Sequence, residues 1–280
     1  MCCLMCRSSR GMVMLLSMKS FKVYGVGTLF LFIFVILSAG CVKENRDKCP
    51  CRLIVDLSDV DSSRISSVDV LLAGQGGIVY ETIRHSDSYG SDEVVLVPRD
   101  ELFLNVCWGD GGMMGMDGLV IPEGLDCPPV YMYSALVSAS SSEFIRQSVI
   151  IRKNHCVMKI YVEDDGAGFP FDMTLVGNVC GYCADGAPMP GRFYCSPEMV
   201  GKSSYIVNLP RQRDASLILE VNDGSQVVKT FALGEYVKAC GYDWTEEDLK
   251  DVTVDIDYAR TQIRIAVQGW DEVYEFDIVI

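Results

Sequence analysis

Short runs of alternating apolar and polar residues recur from Cys51 to the end of the chain, separated by Gly, Pro, Asp and Ser. A period of two puts successive side chains on opposite faces of a strand, so each run buries one face and wets the other. The pattern predicts strands at 51–57, 68–73, 79–83, 93–97, 102–108 and 144–152. A second series follows at 156–162, 171–176, 205–209, 217–221, 227–231, 252–256, 263–267 and 273–280. The long runs of period 3.6 that parallel β-α-β units require are missing. Only 233–240 and 245–249 read as helical, the latter with Thr245 and Asp248 spaced as a cap. The class is therefore all-β, and many short strands between turn residues point to β-sandwiches. One strand ends in charge at Arg152 to Asn154 and another starts at His155. This predicts an N-terminal sandwich at 51–153 and a C-terminal one at 154–280, each long enough to bury a core.

Composition narrows the function. The chain is 49% hydrophobic and 10% aromatic, enough apolar surface to offset the entropy of ordering. Its 24 Lys and Arg stand against 38 Asp and Glu, a formal charge of −14, and no basic run interrupts the excess of acid. Nucleic-acid binding depends on clustered cations that displace counterions from phosphates, so a nucleic-acid partner is excluded.

The amino terminus carries the features of an export signal. Lys19 and Lys22 precede an uncharged stretch, 23–39, and small residues then lead to Cys41. Leu37-Ser38-Ala39-Gly40-Cys41 resembles the lipobox of bacterial lipoproteins. That resemblance implies cleavage between Gly40 and Cys41, a diacylglyceryl group on the Cys41 thiol and a further acyl chain on its new amino group. Several acyl chains exceed the two signals that stable membrane attachment takes. The other reading is an uncleaved single-pass anchor, because a stretch of about 17 apolar residues is at the lower limit for crossing a bilayer. The signal is complete from Met18, so 1–40 reads as an over-extended start plus signal peptide. Removing it takes away Arg7, Arg10, Lys19 and Lys22 and no acid. The 24 basic residues less these four, against 38 acids, leave a formal charge of −18. Residues 41–50 form a lipidated, charged linker. Within it Lys43 and Glu44 resemble the export signal that sends Bacteroides-group lipoproteins to the cell surface, or are simply a solvated linker.

Chemistry is sparse. The two histidines, His85 and His155, sit in no nucleophile-elbow, zinc-protease or papain-like context. Cys180 and Cys183 have the spacing of a redox pair or half a zinc site, but the second pair that a zinc ribbon needs is absent, since Cys49 and Cys51 are one residue apart. A ligand set of Cys180, Cys183, His155 and Cys156 competes with buried thiols or a local disulfide. Nine cysteines remain beyond Cys41, an odd number without framework spacing. Asp56, Asp59 and Asp61, like Glu163, Asp164 and Asp165, suit a hard cation by type but not by spacing, and read as acidic turns. The glycine-rich stretch 109–118 lacks the Lys-Ser/Thr of a phosphate loop. No catalytic residue, metal site or cofactor is assigned.

Taken together, residues 41–280 resemble the FimB-like anchor or minor subunit family of type V fimbriae of the Bacteroides group. The carriers are the lipobox Cys41, then Asp47-Lys48-Cys49-Pro50 entering a strand, LFLNVCWGD at 102–110, the strand opening at Cys156, and IRIAVQGW at 263–270. The resemblance implies two tandem transthyretin-like β-sandwiches after a lipoprotein signal peptide, and a non-catalytic adaptor. Lipid would hold it in the outer membrane, exposed at the cell surface, with stalk or accessory subunits of the fimbria as its partners. Fimbrial joining by strand addition uses an extended segment with alternating side chains. Tyr274, Phe276, Ile278 and Ile280 form one apolar face and are the candidate contact with the next subunit, or else the inner face of the last strand. The sequence departs from the family in its many cysteines and in ending close after Trp270. The rival reading is a surface glycan-binding lipoprotein, with Trp108, Tyr131, Tyr133 and Trp244 as stacking platforms. A hydrolase would need paired carboxylates across a cleft.

Overall fold

The computed structural model describes residues 49–108, 115, 117–163, 168–260 and 262–277. Gly40, Cys41, Lys43, Glu44, Ile278 and Ile280 lie outside the described residues, as do Asp164, Asp165 and most of the glycine-rich stretch. Among the described residues no helix is long and apolar enough to cross a membrane.

The described residues are all-β apart from one short helix and one 3-10 turn, arranged as four sheets. The first sheet has three strands. β1 (Cys51–Asp56) lies at its centre, antiparallel to β4 (Val94–Val97) and parallel to β8 (Phe144–Ser148). The second runs β3 (Gly77–His85), β2 (Ser67–Gly74), β5 (Glu101–Trp108), β7 (Tyr131–Ser138) and β9 (Arg152–Lys153), all antiparallel. Alternate residues of these two sheets share one core: Leu53, Val55, Val95 and Val97 from the first, Val70, Leu72, Leu104 and Val106 from the second.

The third sheet runs β13 (Glu198–Met199), β14 (Ser204–Pro210), β10 (His155–Glu163), β17 (Val252–Asp257), β18 (Gln262–Val267) and β19 (Val273–Asp277), with only β10 and β17 parallel. The fourth runs β12 (Pro188–Cys195), β11 (Asp172–Tyr182), β15 (Ile218–Asp223) and β16 (Gln226–Phe231), and β6 (Leu119–Val120) joins one end of β11. Met158, Ile160, Val254 and Ile265 meet Leu175, Phe193, Leu219 and Phe231 in a second core, with Leu233 and Val237 of helix α1 (Leu233–Ala239). Each such fully buried aliphatic or aromatic side chain contributes roughly 1.5–3 kcal/mol.

Between β5 and β7 the chain leaves the first core and crosses to the second. β6 pairs with Gly181 and Tyr182, Ile121 N donates to Cys180 O at 2.8 Å, Gly124 N to Tyr194 O at 2.8 Å and Cys127 N to Asn208 O at 2.9 Å. Ile121, Cys127 and Val130 are buried there, so the second core takes side chains from well upstream of residue 154. Two glycines permit this approach. A Cβ on Gly181 (φ +152°) would lie 1.9 Å from Leu119 O, and one on Gly118 (φ +88°) 2.0 Å from Tyr182 O.

Several elements differ from the sequence reading. Residues 245–249 are not helical: the Asp243 carboxylate takes both the backbone N–H and the hydroxyl of Thr245, which winds a turn instead, and Asp248 serves other donors. The predicted strand 144–152 breaks into β8 and β9, and 171–176 extends to the eleven residues of β11. The alternation predicts none of β6, β7, β12 and β13. β7 is held between β5 and β9, and β12, with Pro188 and Pro190, is an edge strand where proline is tolerated.

Candidate interaction surface

β19 is the last strand of the six-stranded sheet, and its outer side pairs with no described strand. Its register on β18 sets Tyr274 opposite Ile265 and Phe276 opposite Ile263. Both rings turn inward against the second core. Phe276 packs on Tyr236 of α1 with ring centroids 5.3 Å apart, and Tyr274 lies 6.3 Å from Trp270 and donates its hydroxyl to Glu272 at 2.8 Å. Val273, Glu275 and Asp277 face out, Val273 at 63% exposure. Tyr274 and Phe276 thus fix the strand on its own core, and what β19 offers outward is its open backbone edge with this second row of side chains. Of the other edges, β12 carries its prolines and along β3 Arg84 reaches Ser88, Ser91 and Glu93 of the connection that follows, whereas β16 is proline-free like β19, with Val227 and Val228 exposed.

The four aromatics considered as glycan platforms do not assemble into one face. Trp244 is only 7% exposed, packed edge-on to Tyr242. Tyr133 packs on the first core and accepts Gln147 Nε2 at 2.6 Å. Trp108 and Tyr131 are cross-strand partners, with ring centroids 4.8 Å apart, and line one cavity of about 350 Å³ at the end of the first core. The cavity is walled by the β1–β2 loop, by Ile150 and Ile151, and by Asp248.

A polar hub fixes that last wall. Arg211, following β14, donates to Trp244 O, to Glu246 O at 2.6 Å and to Glu247 O at 3.3 Å, and burial holds its pKa below the ordinary arginine range. Asp248 accepts Lys153 N at 2.8 Å and Arg152 Nη1 at 3.1 Å, and Lys153 Nζ pairs with Asp251.

The remaining candidates are placed apart. His155 is buried, its Nδ1 accepting Val130 N–H at 3.1 Å, and burial lowers its pKa. Cys156 is fully buried, which pushes its thiol up to about 12, while Cys180 and Cys183 are half-buried on β11 and its turn. Cys49, Cys51, Cys127, Cys156, Cys180, Cys183, Cys195 and Cys240 are free thiols. Asp56 and Asp61 each accept the backbone N–H of the residue two further on, the Asx-turn pattern. Bonds from Ser58 and then Arg146 hold Asp56 at about 2.

No protein-family model matches the sequence, and no curated protein matches it. Solved structures do match. A candidate polysaccharide-binding protein from Bacteroides thetaiotaomicron superposes with a TM-score of 0.54 at 12% identity, over 81% of this chain and 98% of its own. The fimbrial anchor protein Mfa2 from Porphyromonas gingivalis superposes with a TM-score of 0.53 at 11% identity, over 79% and 98%. A candidate adhesin from Bacteroides ovatus gives 0.52 at 12% identity, over 84% and 97%. This chain has their fold. The likeness spans nearly the whole of each solved chain and rests on architecture rather than on shared side chains.

Proposed function

We propose that the chain is a non-catalytic, lipid-anchored minor subunit that holds a type V fimbria to the outer membrane and joins its neighbour by strand addition. The observation that carries this reading is the open outer edge of β19 at the end of a six-stranded sheet, proline-free and fixed on its inner face by Tyr274 and Phe276. An added strand would satisfy the edge's N–H and C=O groups and take specificity from the alternating side chains around Val273. The fold shared with a fimbrial anchor protein supports it, as does the lipobox at Gly40 and Cys41. Lys43 and Glu44 would direct the lipidated chain to the surface, and Ile278 and Ile280 would continue the contact beyond Asp277. In this reading the chain between the lipid linker and β19 forms two sandwich bodies, 51–153 and 154–280, with 119–130 packed on the second.

The test is a pull-down from detergent-solubilised outer membrane with the intact chain and with Val273→Lys, which puts a charge on the exposed edge without touching the core. A larger β-rich subunit recovered by the intact chain and lost with Val273→Lys supports strand addition at β19, whereas equal recovery rejects it. Cys41→Ala should release the protein and any attached fibre from the cell; retention in the membrane fraction would reject lipid anchoring.

A further inference from the structure

We propose that the cavity at the end of the first core, built on the Trp108–Tyr131 pair, is a binding site for a neutral saccharide. The cavity, about 350 Å³, falls within the size range of small-ligand sites. Two half-buried aromatic rings, 4.8 Å apart and inclined at 51°, join Val60, Ile65, Ile150 and Ile151 as its apolar lining, and charged side chains supply the rest. A pyranose has the same division: an apolar C–H face that packs on a ring, and a rim of hydroxyls that both donate and accept.

The polar groups divide into spent and unspent. Asp248 accepts from Lys153 N and Arg152, and Lys153 Nζ is committed to Asp251. Oδ1 of Asp61 is taken by Ser63 N at 3.0 Å and Ser63 Oγ at 2.6 Å. The exposed Asp59 carboxylate and Arg64 guanidinium also line the cavity, and neither forms an ion pair with a described residue. The Tyr131 hydroxyl makes no hydrogen bond to a described residue either. A carboxylate takes two hydroxyl protons from a diol, and a guanidinium donates in parallel to two oxygens. Together the unspent groups suit a polyhydroxyl ligand without formal charge. An acidic sugar would meet Asp59 and Asp61 on a chain of net charge −14. A cationic peptide would use the carboxylates but leave the Arg64 guanidinium facing like charge.

The rings are cross-strand partners at the ends of β5 and β7, so the sheet orients them before any ligand arrives. The acid and the cation sit on the β1–β2 loop, where their replacement leaves both cores intact.

The test is calorimetric titration of the full chain, in a detergent free of sugar, with maltotriose, cellotriose, mannotriose and tri-N-acetylchitotriose, and with sialyllactose and trilysine for comparison. At least one neutral trisaccharide should bind with a Kd below about 1 mM. Trp108→Ala should weaken that binding tenfold or more. Asp59→Asn and Arg64→Gln should each weaken it by about tenfold with the unfolding transition unchanged. Failure of all four neutral sugars to bind, binding unmoved by Asp59→Asn and Arg64→Gln, or tighter binding of trilysine or sialyllactose would each overturn the proposal. Subunit recovery through β19 is a separate readout, so this site and the fimbrial reading stand or fall independently.

Discussion

Arg211 grips the side-chain carbonyl of Asn154 with two guanidinium nitrogens, Nε at 3.2 Å and Nη2 at 3.1 Å. Asn154 lies in the short passage between β9 and β10, and Arg211 directly follows β14, so one fork clamps the start of the second half of the chain to the 244–247 turn. The fully buried Tyr182 completes the arrangement, donating its hydroxyl to Asn154 O and accepting Arg211 N at 2.9 Å.

Removing that fork should be expensive for its size. Arg211→Met leaves the carbonyls of Trp244 and Glu246 and the Asn154 amide oxygen without their donor, a loss of about 2–4 kcal/mol, read as a lower urea midpoint. Arg211→Lys should recover less than half of this, because an ammonium cannot span carbonyls that a planar fork reaches together.

Gly181→Ala should lift β6 from β11. The new methyl would sit 1.9 Å from Leu119 O, on backbone that cannot swing aside, and the cost should reach at least about 2 kcal/mol. Limited proteolysis should then cut within 119–130, which the native chain protects. Gly224→Ala serves as the control. It too has positive φ, at +58°, but meets nothing within 4 Å, so it should cost only about 1 kcal/mol and leave 119–130 protected.

Acid should weaken the fold through His155. Burial lowers its folded pKa, and the flanking Lys153 and Asp251 oppose one another. In the unfolded chain it titrates near 6.5, so unfolding takes up a proton below that value. The stabilisation is complete above about pH 6.5 and is lost as pH falls toward the folded pKa. Urea midpoints measured from about pH 7.5 to 5 should decline for the native chain, and His155→Asn should flatten that limb.

Most of the fold was legible because strand periodicity is local. β2, β5, β10, β14, β17 and β18 each fall within a residue or two of the predicted bounds, and in β17 and β18 buried residues alternate strictly with half-buried ones. β7 escaped because Tyr131–Ser138 mixes apolar and small residues on both faces, and β12 because two prolines and a glycine argue against a strand unless its edge position is known. The 119–130 crossing could not be read at all: its partners, Cys180, Tyr194 and Asn208, are more than fifty residues further on, and only the glycines at 118 and 181 hint at a close approach. The cavity was half visible. Trp108 and Tyr131 stand out in sequence by their rings and Asp59 and Asp61 by their charge, but nothing in sequence joins those pairs or brings in Arg64. Only the third dimension buries Trp244 and leaves Tyr133, on the same face of β7 as Tyr131, outside the cavity.

The position of β1 gives the two ends of the chain different mechanical strengths. β4 and β8 each pair with β1 and with no other described strand, so β1 alone holds that sheet together. Tension applied through residues before Cys49 pulls along the β1 axis, across hydrogen bonds on both of its sides at once, and the strand must shear from two neighbours before it yields. Tension at the other end acts on β19, which has one neighbour, and can peel it from β18 one bond at a time. Lifetime under load follows the unfolding barrier rather than the equilibrium stability. The chain pulled from both ends should therefore give way first at its carboxyl-terminal strand, unless an added strand converts β19 from an edge into an interior strand.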